Sequence, residues 1–342
     1  MTTVKAGVVF LFLSVFGAAM AGAAETPSPA LLVLDKTDNS LVIVDPVGLK
    51  SVGRVPAGED PHEVVVSDDG KIAYISNYGA YGRPAPLRSI SVVDLIAQRA
   101  LPPIDLGALG APHGLAMSGG KLYFTAEANK VIGSYDPVTR KIDWLLGTGQ
   151  DRTHMVAVSN ERMVTTNVNS ATASIIERGE TPNAPAGRGP APVDWHVTNV
   201  PVGRGAEGFD ISPDGKTAWV ANAQDRTVSI IDIASKKVTQ TLTVSAGGAN
   251  RLKFTPDGKL VFISDPRGSD LVVIDAATRQ ETRKIAVGQG GGGILMVPDG
   301  SRAFVALGQE NVVVVVDLRS LTVTGRIQTG RNPDGLAWAE RK

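Results

Sequence analysis

The stretch EGFDISPDGKTAWVANAQDRTVSIIDIASKKVTQTLTV, from Glu207 to Val244, holds one whole structural unit. It reads as a short strand, a D-G turn, a second strand ending in an amide, a third ending in an acid, and a fourth strand. A second copy, NRLKFTPDGKLVFISDPRGSDLVVIDAATRQETRKIAVG, runs from Asn250 to Gly288. Units of about 40 residues with four strands each are the signature of propeller blades.

Outward from these copies, the third strand closes on an acid at Asp45, Asp94, Asp136, Glu177, Asp232, Asp275 and Asp317. Such an acid is expected to accept hydrogen bonds from the backbone amides of the turn that follows it. The ends of the chain carry incomplete units. ALLVLDKTDNSLVIVDPVGLKSVGRV (30–55) lacks a first strand, and NPDGLAWAE (332–340) supplies only a first strand. Together they make one blade, which leaves the ring no open sheet edge. The expected fold is all-β, a seven-bladed β-propeller with four antiparallel strands per blade, closed by the C-terminal strand. It forms a single domain over residues 25–342.

Ahead of it, Lys5 precedes an apolar run, AGVVFLFLSVFGAA (6–19), and the small-residue stretch AGAAE (21–25). Residues 1–24 read as a secretory signal peptide cleaved near Ala23 or Ala24, so a periplasmic or secreted location is expected, with no membrane span in the mature chain. The chain has no cysteine, which excludes disulfides, thiolate metal sites and covalently attached c-type haem. Its net charge is zero with basic residues scattered, so no nucleic-acid or anionic-membrane footprint is present. The 38 glycines and 21 prolines suit short strands and tight turns. A monomer is expected.

AWVAN (218–222), AYISN (73–77) and VFISD (261–265), each after PDGK or DDGK and before a VSIID-like strand, resemble the YVTN β-propeller repeat. That resemblance spans the mature chain and implies the same fold. It implies little about activity, because the architecture hosts lactonases, lyases and pure binding proteins. LYFTAE (122–127), VTTNV (164–168) and AFVAL (303–307) depart from the repeat. GGK and SNER replace the D-G turn of the third and fourth units.

The inner strands open on DPHEVVVS, APHGLAMS, RTHMVAVS and AEGFDIS, which align His62, His113, His154 and Glu207 five residues before a serine. The remaining blades place Asn250, Gly292 and Asp334 in the same slot, at spacings of 51, 41, 53, 43, 42 and 42 residues. In a propeller the first strand of each blade lines the central channel, so these side chains converge at one channel mouth. Three imidazoles and a carboxylate suit a divalent metal, zinc foremost, with iron, manganese or copper also fitting. His62, His113, His154 and Glu207 are the candidate ligands, and the ion is expected off the axis near the third or fourth blade. A metal-free polar pocket and purely structural histidines are the alternatives. Glu207 is the candidate general base and His154 the candidate acid. Gly292 is expected to leave its sector open to a ligand, and His196 is read as an outer-strand surface residue.

The loop YGAYGRPAPLR (78–88) joins the second and third strands of the second blade and should overhang His62. Tyr78, Tyr81, Arg83 and Arg88 are therefore candidate substrate contacts, arginine suiting a carboxylate or phosphate. Asn250, Arg251 and Asp334 complete the substrate-binding set. Glu127, Asn129, Asn167, Asn169, Gln224, Arg226 and Arg267 share the same loop class, and each is read singly as a solvated turn residue. The second insertion, RGETPNAPAGRGPAP (178–192), reads as a flexible loop on the opposite face.

No G-x-S-x-G elbow, Walker A loop, H-E-x-x-H helix or EF-hand loop occurs. The leading expectation is a metal-dependent hydrolase or lyase for a small oxygenated substrate, a lactone or an acidic sugar. The competing expectation is a non-catalytic metal carrier or a ligand- or protein-binding scaffold.

Overall fold

The computed structural model describes residues 2–3, 25–79, 84–159, 162–180 and 193–342. The expected leader lies outside the described residues except for Thr2 and Thr3, as do Tyr81, Arg83 and residues 181–192. The chain forms seven four-stranded antiparallel sheets arranged as blades, numbered here from the one that joins the two termini. In that first blade the strand Pro333–Ala339 pairs with Ala30–Asp35, with Leu31 opposite Trp338 and Leu32 opposite Ala337. The expected closure is present, and the single regular helical element among the described residues is the 3-10 turn Glu127–Asn129.

The inner strands of blades two to seven begin at Pro61, Pro112, Thr153, Ala206, Arg251 and Gly291. Second and third strands are almost wholly buried, while outer strands alternate between exposed and covered residues, as in Lys141–Gly147. The core is therefore a set of apolar layers between blades. Leu32, Leu34 and Ile43 of blade one, for example, pack on Val64 and Ile75 of blade two. Each fully buried Val, Leu or Ile contributes about 1.5–3 kcal/mol to holding neighbouring blades together.

The acids that end the third strands behave as expected in six blades. Asp45, Asp94, Asp136, Asp232, Asp275 and Asp317 accept from backbone amides two or three residues on. Glu177 differs, and its longer side chain pairs with Arg162 and Lys236. The strand containing it extends to Glu180, so residues 178–180 of the presumed flexible insertion are regular sheet. His196 sits half-buried on the partner strand and donates from Nε2 to the Gly179 carbonyl.

One backbone device aims the inner strands. Two residues before the aligned slot the chain turns left-handed in six blades, at Asp60, Ala111, Arg152, Gly205, Gly290 and Asn332, with φ between 46° and 80°. For the four non-glycine residues this costs about 1–2 kcal/mol each. The turn directs the following residues toward the axis.

Candidate active site

The aligned slot does converge on the channel mouth. The His62 and His113 rings lie 5.2 Å apart edge to face and the tilted His113 and His154 rings 3.7 Å, so the three imidazoles form an irregular stack across blades two to four. Tyr78 packs against it, 4.6 Å from His62 and 4.8 Å from His113.

Each histidine has a different electrostatic state. His154 is buried between two carboxylates: Nδ1–H donates to Glu127, and Nε2–H donates to Glu207 at 2.9 Å. Burial alone would depress its pKa, but the hydrogen bonds to Glu127 and Glu207 outweigh that and leave it raised. Burial would raise Glu207, whereas the imidazolium and Arg152 bring it down to about 2. His113 carries no such support. Burial, then the positive field of His154, holds it neutral, and its buried Nδ1 has no hydrogen-bond partner. His62 is brought down to about 4 by burial and by Lys36, which donates to its Nε2 at 2.9 Å while Nδ1–H donates to the Asp60 carbonyl.

Glu127, read from sequence as a solvated turn residue, is buried at the centre of the site, only 7% exposed. It accepts from Tyr78 Oη at 2.5 Å as well as from His154, and Arg152 lies 3.4 Å from it and 3.6 Å from Glu207. Its position follows a rule the aligned histidines conceal. The residue directly after the second strand faces the mouth, and in blades one, two and three it is Lys36, Tyr78 and Glu127. The equivalents in blades four to seven are Val168, Ala223, Pro266 and Gly308. Aligning second-strand ends would have found all three. Asn167, from the same group of presumed loop residues, is fully buried and bonds Thr153 and Ser174 within blade four.

His113, Glu127 and His154 each offer a ligand atom within 4.8 Å of the others, between blades three and four. The unpartnered Nδ1 of His113 fits a metal ligand as it stands, whereas His154 could join this His/Glu/His group only by giving up its Nδ1 proton and its hydrogen bond to Glu127. Of the ligand set expected from sequence, His62 and Glu207 fall outside the group. His62 has both ring nitrogens occupied, and Glu207 sits on the far side of His154.

One residue deeper the inner strands carry Glu63, Gly114, Met155, Gly208, Arg251, Gly293 and Gly335. A Cβ on any of these four glycines would overlap the carbonyl oxygen of the next blade's slot residue, so side chains reach the axis only from blades two, four and six. These three meet there. Arg251 pairs with Glu63, donates to Met155 Sδ at 3.2 Å, and lies 3.9 Å from Asp334, which pairs with Lys36 at 3.2 Å. Arg251 and Asp334, expected among substrate contacts, are thus tied to each other and to neighbours. The open sector expected at Gly292 is filled, since a Cβ there would lie 2.9 Å from Asp334 Oδ1. Asn250 is half-buried, and its carbonyl accepts from Gly208 N.

Above the stack a cavity of about 300 Å³ opens across blades two to four, walled by Tyr78, Ala111, Glu127, Asp151, Arg152 and Asn169. A second cavity, about 230 Å³, lies in the channel around Arg251 and is lined by the inner strands of all seven blades.

These features define a seven-bladed propeller with a charged, largely buried cluster at its mouth. No protein-family model matches the sequence, and no curated protein sequence matches it. Solved structures do. A protein of unknown function from Desulfotomaculum acetoxidans superposes with a TM-score of 0.73 at 12% identity, covering 92% of this chain and 100% of its own. Provisionally assigned 6-phosphogluconolactonases from Bacteroides fragilis and Bacteroides uniformis give TM-scores of 0.70 and 0.69 at 18% and 15% identity. Each covers 91% of this chain, with 98% and 99% of the respective neighbour matched. At such identities the likeness is one of fold, and the YVTN resemblance rests on the repeat motifs alone.

Proposed function

We propose that the mouth is the active site of a lactonase-like hydrolase acting on a small oxygenated substrate. The observation that carries this reading is His154, held between Glu127 and Glu207, with Glu127 itself on the wall of a pocket of substrate size. Glu207 is the group able to take a proton from an attacking water, and the His154 imidazolium beside it can give one to a leaving ring oxygen. Arg152, between both carboxylates and on the pocket wall, is placed to polarise a carbonyl oxygen. Tyr78 fixes Glu127 and excludes water from the stack. A lyase would use the same proton-transfer unit.

A divalent ion, if resident, would be held by His113, Glu127 and a His154 deprotonated at Nδ1, in place of the His154–Glu127 hydrogen bond, and would supply Lewis-acid polarisation. The leader-like residues 1–24 support action outside the cytoplasm. The lactonase names of the fold neighbours support the substrate class weakly.

The test is turnover of a panel of γ- and δ-lactones, with metal content measured on the same preparation, for parent, His154→Ala and Glu207→Gln. The reading requires activity in the parent that falls by about 100-fold or more in both variants. No turnover of any lactone, with or without added zinc, manganese, iron or copper, sinks it and favours the binding scaffold.

A further inference from the structure

We infer that the mouth accepts an uncharged lactone or polyol of monosaccharide size and rejects phosphorylated and polyanionic ones. This deepens the lactonase-like reading and rests on it. The pocket wall carries Glu127, Asp151 and Arg152, two acids and one base. Two cations at this wall already face carboxylates. Arg152 lies between Glu127 and Glu207, and Lys130 is 3.7 Å from Asp151. Deeper in, Lys36 pairs with Asp334, and Arg251 with Glu63.

A phosphate needs several charge-assisted donors. Drawing Arg152 toward one would leave Glu127 and Glu207 buried with less compensation, which is strongly unfavourable. Three backbone amides of this rim are already committed. Gly79 N donates to Asp60, Gly110 N to Asn129, and Asp151 N to Ser170. What the wall presents instead are acceptors and amides, Glu127, Asp151 and Asn169, beside the small apolar faces of Ala111 and Ala128. Hydroxyl groups on a compact ring satisfy that combination.

The test compares kcat/KM for glucono-1,5-lactone and its 6-phosphorylated counterpart at low ionic strength. The neutral lactone is expected to win by about tenfold or more, and Asp151→Asn is expected to narrow the gap by about two- to fivefold by relieving repulsion at a half-exposed site. Equal or better use of the phosphorylated lactone overturns the inference while leaving the lactonase reading intact. If neither lactone turns over, the lactonase reading fails, and calorimetric titration with glucose, glucose 6-phosphate and inorganic phosphate decides the pocket's preference. Binding of glucose above both phosphates then supports the inference. Any other result, absence of all binding included, overturns it.

Discussion

Blades five and six follow the repeat closely, and blades three and four break it. The difference marks where the chemistry sits. In blade five the second strand ends on Asn222, whose amide bonds Thr227 and Ser229, and the next residue is a plain Ala223. In blade three the same place reads Ala126–Glu127, so the amide that ties a blade together is gone and a carboxylate enters the mouth instead. Blade six contributes Arg251, which stays bound to Glu63 and Met155 within the channel. The regular blades build the ring, and the irregular blades three and four supply Glu127 and His154 of the proton-transfer unit, to which blade five adds Glu207.

The sharpest way to break the comparison is at the closure, which belongs to the regular blades. Deleting residues 333–342 removes the inner strand of blade one, opens the sheet edge at Ala30–Asp35 and uncovers Leu31 and Leu32. Loss of the cooperative melting transition is expected. A truncated monomer that melts like the parent would refute the ring closure.

Next in size is the axial ion pair. Arg251→Met strands Glu63 and should cost about 3–5 kcal/mol in chemical denaturation, whereas pairing it with Glu63→Leu should recover most of the loss. Equal losses in the single and double variants would show that Arg251 acts through packing alone.

A smaller effect distinguishes the two sets of blades directly. Gly114→Ala and Gly293→Ala each force a Cβ onto a neighbouring blade's carbonyl, that of His154 and that of Asp334, at a cost of about 1–3 kcal/mol. Both should lower stability by similar amounts, but only Gly114→Ala moves His154 and should lower turnover. Equal loss of activity in both would erase the proposed asymmetry.

The weakest expected effect is on pH-dependence. His154 has a raised pKa when folded, so its stabilisation is complete below its ordinary 6.5 and is lost as pH rises through the folded value. Glu207 has the opposite sign. Its contribution is present above its ordinary 4.5 and is lost as pH falls toward 2. Stability of the parent should therefore decline on both sides of this window, and His154→Gln should flatten the alkaline side.

The ring, its closure and the convergence of His62, His113, His154 and Glu207 were legible because each repeats at a fixed place in a unit of known length. Glu127 and Lys36 were not, since the serine-based alignment follows inner strands only, and both lie after second strands. The spread of electrostatic states was invisible for a different reason. His62, His113 and His154 occupy one slot, yet Lys36, burial and a carboxylate pair set them apart, and those partners come from neighbouring blades whose side chains the slot alignment does not relate. Arg83 and residues 181–192 of the second insertion fall outside the described residues.

The central claim is that His154 alone among the stacked histidines is an imidazolium locked between carboxylates. With four histidines in the chain, ¹⁵N-histidine labelling and NMR titration of the ring nitrogens tests it directly. The account predicts both His154 ring nitrogens protonated at pH values above 6.5, His113 neutral well below 6.5, and His62 protonating only near pH 4. Three stacked histidines titrating together near 6.5, or a neutral His154 at pH 6, would contradict it.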